Sequence, residues 1–400
     1  MFFAAHFHLQ IMKNFIVFIL IFMLTFCAQH VLHAQDAPRL KISLLTCAPG
    51  GELYSTFGHS AIRIIDSSAA SDVVYNFGTF DFDDPDFYKK FILGKLLYYE
   101  SVSGMQDFIF DYKVEGRGII EQEIKLSNAE KKSVQTFLIE NLKEENKYYK
   151  YDFFLDNCTT RLRDLLENTK SPKPIFPAVM PETFTFRNAI HQYLDQNKKY
   201  WSKFGIDLLL GAPTDAVMTV KQQQFLPDNL MLSIDSTANV ELVATRTEIY
   251  KPAAISTPKV LFTPMVCTLL LLLTFIAVHW LSQSSRIFTI ALNALDALLF
   301  IVTGGFGCLF LFMMLGTDHI MTKQNWNLLW AIPTHFLAAF FLHSQVKAWR
   351  FYFKAAALGM LALLLLWLVV PQQLNVALIP FVILLGFRSF MAGKRQSSKI

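Results

Sequence analysis

Two side chains in this sequence are well suited to nucleophilic chemistry, Cys158 and His59. Asn157 is a good N-cap residue, so Cys158 is expected in the first turn of a helix running to about Glu167, where the positive end of the helix favours a thiolate. His59 follows Gly58 and opens the run Ser60-Ala61-Ile62-Arg63-Ile64-Ile65, which reads as a strand. A strand edge gives a base a rigid mount. A catalytic imidazole also needs a polar neighbour to hold it, and Asn76, in Tyr75-Asn76-Phe77, is the candidate because adjacent strands would set it beside His59. The resulting chemistry is thiol nucleophile, imidazole base and orienting amide. The Cys158 amide and a nearby donor such as Tyr54, with Asn157 in support, would stabilise an oxyanion.

Other groups compete for a role. The chain has five cysteines. Cys27 falls in a leader-like segment and Cys267 and Cys308 in apolar stretches, which leaves Cys47 and Cys158. Two cysteines in an exported domain also fit a disulfide, and a non-catalytic envelope protein with a Cys47–Cys158 bridge is the alternative from a different class. Cys47 sits in Leu44-Leu45-Thr46-Cys47, where a thiol packs as a small hydrophobe. Ser55 and Ser60 flank the histidine without a Gly-x-Ser-x-Gly elbow, against a serine hydrolase. Asp81, Asp83, Asp84 and Asp86 lack the glycine and terminal glutamate of a calcium loop and read as a solvated face. No metal and no cofactor are expected. His191 is expected on a surface helix without a partner.

The elements that must position these groups divide the chain in two. At 400 residues, 53% hydrophobic and 38 Phe, the sequence is too apolar for an ordinary soluble protein. Its net charge of +4 is small for the length and argues against a nucleic-acid binder. Residues 1–34 read as a signal peptide: Lys13, an apolar run from Phe15 to Phe26, and cleavage near Ala34, with Met12 the more conventional start. Phe26 is too bulky to precede a lipidated Cys27. Residues 35–258 have soluble-domain composition. Strands are expected at Lys41–Cys47, Ser60–Ile65 and Val73–Phe77, and a capping box at Ser127-Asn128-Ala129-Glu130 opens a helix to about Leu142.

Residues 259–400 form a membrane domain with five expected spans: Leu261–Leu281, Ile287–Leu315, Trp326–Leu342, Phe351–Val370 and the short Leu374–Phe387. With the soluble domain outside, Arg286, Lys347, Arg350, Arg388, Lys394, Arg395 and Lys399 fall on the cytoplasmic side and only Lys323 on an outer loop, in accord with the positive-inside rule. The outer-loop residues Asp318, His319, Asn325 and Asn327 are candidates for binding a lipid head group, or simply a solvated loop. Asp296 and His335, both at membrane depth, are expected to pair or to form a proton site.

The order of histidine on a strand, polar residue on the next strand and Asn-Cys opening a later helix resembles the circularly permuted papain-like (NlpC/P60-like) enzymes, among them the lecithin:retinol acyltransferase type. More narrowly, Tyr54-Ser55-Thr56-Phe57-Gly58-His59, Tyr75-Asn76-Phe77-Gly78-Thr79-Phe80-Asp81-Phe82 and Asp156-Asn157-Cys158-Thr159-Thr160-Arg161 resemble the Lnb-type periplasmic domain, implicated in N-acylation of bacterial lipoproteins. Leu208-Leu209-Leu210-Gly211-Ala212-Pro213-Thr214-Asp215 and Gln222 to Pro227 extend the likeness. The resemblance implies an α+β periplasmic domain on an all-α bundle of the bacterial inner membrane, and the five spans with their charge distribution place the C-terminus on the cytoplasmic side. The resemblance also implies a Cys158 acyl-enzyme that takes an acyl chain from a phospholipid and passes it to the N-terminal amine of a lipoprotein. A membrane-tethered cysteine peptidase or cell-wall amidase would use the same three residues.

Overall fold

The computed structural model describes residues 40–253 and 260–394, together with Val17 and Ile19. The expected signal peptide, apart from those two residues, and Arg395 and Lys399 lie outside the described residues. The soluble domain is α+β. Seven antiparallel strands are arranged in the order β6-β4-β3-β2-β1-β5-β7. They are β1 (Leu40–Cys47), β2 (His59–Asp66), β3 (Ser71–Thr79), β4 (Leu97–Gly104), β5 (Ile119–Ile124), β6 (Tyr148–Lys150) and β7 (Val243–Tyr250). The helices around it are α1 (Phe87–Leu93), α2 (Met105–Val114), α3 (Asn128–Asn141), α4 (Cys158–Thr169), α5 (Phe186–Gln196), α6 (Tyr200–Leu209), α7 (Val220–Gln223) and α8 (Pro227–Asp235). Each of the three expected strands is present, extended by one or two residues at one or both ends, and the Ser127 capping box is formed.

Alternation along the central strands sorts side chains to two cores. Ile42, Leu44, Ile62, Ile64, Tyr75 and Phe77 pack with Leu162, Leu165 and Leu166, the apolar stripe of α4. On the other side, Leu45, Cys47, Ala61 and Val74 pack with Met105 and Phe108 of α2. The thiol-bearing helix is thereby fixed against the middle of the sheet, next to β2.

Among the described residues, the membrane domain contains four helices long and apolar enough to cross a bilayer: α9 (Pro264–Leu281), α10 (Arg286–Leu315), α12 (Lys347–Leu365), and α13 (Ile379–Lys394) with the 3₁₀ turn Val376–Leu378 before it. The segment expected as a regular third span, Trp326–Leu342, is instead broken into 3₁₀ turns and the single-turn α11 (His335–Ala338). It runs antiparallel to α10, with Ala331 against Gly307 and Phe336 against Gly304. Irregular backbone is tolerated at that depth only where protein covers it, and Trp330, Ala331, His335 and Ala338 are buried. The last span is longer than its apolar core because Arg388 lies within it. Arg388 is not a solvated boundary charge: it is buried and makes a two-pronged ion pair with Asp296 at 2.6 and 2.7 Å. Asp296 and His335 therefore do not pair. The His335 partner is the Tyr352 hydroxyl, 2.7 Å from Nδ1.

The two domains are clamped together by backbone as well as side chains. Leu208 of α6 enters the membrane-bundle core, and Met321 enters a soluble-domain cluster. Gly211 N–H donates to Met321 O (2.8 Å), and a Cβ at Gly211 would come within 1.8 Å of Lys323 O, so only glycine permits this approach.

Candidate active site

The site begins with Gly58. Its φ of +82° is a conformation that side chains resist, and a Cβ there would lie 2.6 Å from Cys47 O. The turn sets His59 as the first residue of β2. Continuing the β2–β3 register from Ile62–Tyr75 puts Asn76 opposite Ala61, one diagonal step from His59. The contact expected from the sequence is present: Asn76 Oδ1 is 3.1 Å from His59 Nε2. A carbonyl oxygen there accepts the Nε2 proton and directs the other ring nitrogen to its second partner, the Cys158 thiol, with which His59 is hydrogen-bonded.

Asn157 builds the other half of the site. Its Oδ1 accepts from Thr159 N–H and Thr160 N–H at 2.8 and 2.9 Å, and its Nδ2 donates to Phe153 O and Phe225 O at 2.7 and 2.9 Å. All of the amide's capacity is committed, so Asn157 positions the helix and is not an oxyanion donor. Its cap leaves the Cys158 N–H as the first-turn donor without a partner among the described residues. Tyr54, the other expected donor, is 65% exposed and its hydroxyl has no hydrogen-bond partner among the described residues. The loop on either side of it is held by Lys199. The Lys199 ammonium donates to Gly50 O, Gly51 O and Thr56 Oγ1 at 2.7–2.9 Å. A lysine between two helices offers no sequence pattern that would reveal this role.

Electrostatics separate the two thiols. Burial alone would hold Cys158 protonated, but the charge and hydrogen bond of His59, with the Ser60 amide and the Thr159 hydroxyl, bring it down to about 7 from an ordinary 9.0. For His59, burial opposes the charged ring; the Cys158 thiolate and the Asn76 contact outweigh it and raise its pKa. Burial pushes the Cys47 thiol up to about 12. Both cysteines are free, and Cys47 packs in the α2-side core as expected of a small hydrophobe. Ser60, far from acting as a nucleophile, bonds Thr159 Oγ1 at 3.0 Å and ties β2 to α4.

The outer-loop candidates serve the junction. Asp318 pairs with Lys150 at 2.6 Å, and His319 Nε2 meets Phe91 O and Ile92 O at 3.1 and 3.2 Å. Asn325 Nδ2 donates to Leu208 O (2.8 Å), and Asn327 Nδ2 to Asp207 O (3.1 Å). Both asparagines are buried between the domains, whereas Asp318 remains exposed and His319 half-buried. His191, expected without a partner, is bonded to Asp207 Oδ1 at 2.8 Å. Asp207 also binds the fully buried Arg187, and Asn375 of the membrane domain. The acidic run is exposed as expected, apart from the partly buried Asp84, which holds Lys90.

A sheet-borne histidine facing a cysteine at a helix N-terminus, on an α+β domain seated on membrane helices, defines a membrane-bound protein with a candidate thiol–imidazole site. The comparison with known families is more specific. Residues 28–189 match the Lnb N-terminal periplasmic domain and residues 256–398 the Lnb transmembrane domain. The chain belongs to the Lnb-type lipoprotein N-acyltransferase family and is a membrane enzyme of lipoprotein processing. No curated protein and no solved structure matches it.

Proposed function

We propose that this protein transfers an acyl chain from a phospholipid, through a Cys158 thioester, to the N-terminal amine of a lipoprotein. The observation that carries this reading is the Asn76–His59–Cys158 relay beside the uncommitted Cys158 N–H. The thiolate attacks the ester carbonyl carbon, and the Cys158 N–H receives the oxyanion. Collapse breaks the ester C–O bond, and His59 gives its proton to the departing lysophospholipid oxygen. The acceptor amine then attacks the thioester, His59 takes the amine proton, and cleavage of the C–S bond regenerates the thiolate–imidazolium pair with the amide as product. Asn76 keeps the ring oriented through both steps.

The membrane bundle confines the catalyst with two substrates that live in the bilayer. In this reading residues 1–34 direct export and the catalytic domain is periplasmic. The broken segment 326–342 makes the third of five crossings of the inner membrane, which leaves the C-terminus cytoplasmic. Intact-mass spectrometry of the detergent-purified protein with phospholipid tests the chemistry. One added acyl chain, absent from Cys158→Ala, is expected. A reactive thiol that gains no acyl chain would redirect the site to peptide or amide substrates.

A further inference from the structure

The surface from Phe80 to Leu93 takes no part in the chemistry above. Phe82 packs on Phe80 and Phe87 with centroids at 4.7 and 4.9 Å, and Phe91 stacks on Phe87 one helical turn away. Phe87 is buried, but Phe82, Tyr88, Phe91 and Ile92 are 48–75% exposed. A contiguous apolar patch of this kind marks a surface that something covers.

Its position identifies what covers it. The end of α1 is bonded to the outer end of membrane helix α10: Asp318 N–H donates to Leu93 O at 2.9 Å, and His319 reaches Phe91 O and Ile92 O. The patch is therefore level with the end of a membrane span, at the depth where aromatic side chains favour the bilayer interface. Local charge is nearly balanced, four Asp against three Lys between residues 81 and 95, so the contact rests on apolar rings rather than on anionic lipid.

From this patch a series of rings leads inward. Phe80 meets Tyr98 at 5.3 Å and Tyr98 stacks on Tyr151 at 4.4 Å. Tyr151 adjoins Gly78, where a Cβ would sit 3.2 Å from the ring and 3.9 Å from Cys158 Cβ. We propose that Phe82, Tyr88, Phe91 and Ile92 seat in the outer leaflet of the bilayer. Phe80, Tyr98 and Tyr151 then form the apolar flank along which an acyl ester reaches Cys158. The second half rests on the acyl-transfer reading; the first does not.

The test uses the full chain in nanodiscs of zwitterionic phosphatidylcholine, with benzoylphenylalanine at position 88 or, as control, at the exposed Phe137 of α3. Photolysis should give lipid adducts at 88 well above those at 137. Equal yields, or adducts to a second protein chain at 88, would overturn the membrane seat. The double variant Phe82→Ser, Phe91→Ser should slow acylation of Cys158 from vesicles at least ~10-fold, since two apolar rings leave the lipid. Its alkylation by iodoacetamide should be unchanged. Wild-type acylation by that variant would show that the acyl ester does not enter from this seat and would overturn the path that starts there. Lipid adducts at 88 in a protein that never acylates would uphold the seat and refute only the acyl-transfer reading.

Discussion

Replacing His59 with alanine removes the partner that holds Cys158 as a thiolate, and the effect on thiol reactivity can be worked out in advance. With its thiol at about 7, the wild-type site is roughly half ionised at pH 7. Without the imidazolium, burial has little to oppose it and the thiol returns at least to its ordinary 9.0, about 1% ionised at pH 7. That is a ~50-fold loss of thiolate. A more basic thiolate is intrinsically more nucleophilic, by roughly 8-fold for two units at a Brønsted slope near 0.45, so the net loss at pH 7 is only ~6-fold. The signs make the two profiles cross. Wild-type alkylation rises through pH 7 and levels off, whereas His59→Ala starts lower, keeps rising past pH 9 and overtakes it. Iodoacetamide rates read peptide by peptide from pH 5 to 10 provide the assay. Cys47, held up at about 12, serves as an internal unreactive control. A His59→Ala profile superimposable on wild type would refute the ion pair and the role of His59 as base.

Asn76→Ala should leave the thiol titration near 7 but, by freeing the ring, lower acyl transfer by up to about 100-fold, measured as acylation rate at saturating lipid. Asn157→Ala loses a helix cap and strands two carbonyls, a cost of about 2–4 kcal/mol that thermal unfolding in detergent would register. Gly211→Ala must push Lys323 O away and should loosen the domain junction, seen as faster hydrogen exchange at residues 207–215 with the Cys158 pH profile retained. Asp296→Ala leaves Arg388 buried without its carboxylate and should destabilise by about 3–5 kcal/mol, while Asp296→Ala with Arg388→Met recovers most of it.

The domain that carries the candidate site was legible because its signals are local. A capping residue before a cysteine, a glycine before a histidine at the head of a β-branched run, and an asparagine on the next strand each follow from rules spanning a few residues. Antiparallel pairing of neighbouring strands then joins His59 to Asn76. The membrane domain was legible in outline for the same reason, since apolar length alone marks a span. Where the reading departed from the structure, the missing information was the identity of a distant partner. Asp296 and Arg388, 92 positions apart, meet because two spans pack together, and hydropathy makes no distinction between a buried arginine and one at a cytoplasmic boundary. Trp326–Leu342 has the composition of a helix but breaks, because packing against α10 covers its freed backbone.

The outer-loop polar residues show the same division. Asp318, His319, Asn325 and Asn327 read as exposed because polar residues in a loop between apolar spans carry no local sign of the distant partners that engage them. They are bound to α1, β6 and α6, elements more than a hundred residues away. The sequence by itself determined which residues can ionise, cap, turn or enter lipid, since those properties belong to side chains and their immediate neighbours. Tertiary structure alone decided which polar groups spend their hydrogen bonds on holding the two domains together and which remain free for chemistry. A buried donor or acceptor must find a partner, and that partner is chosen by the fold.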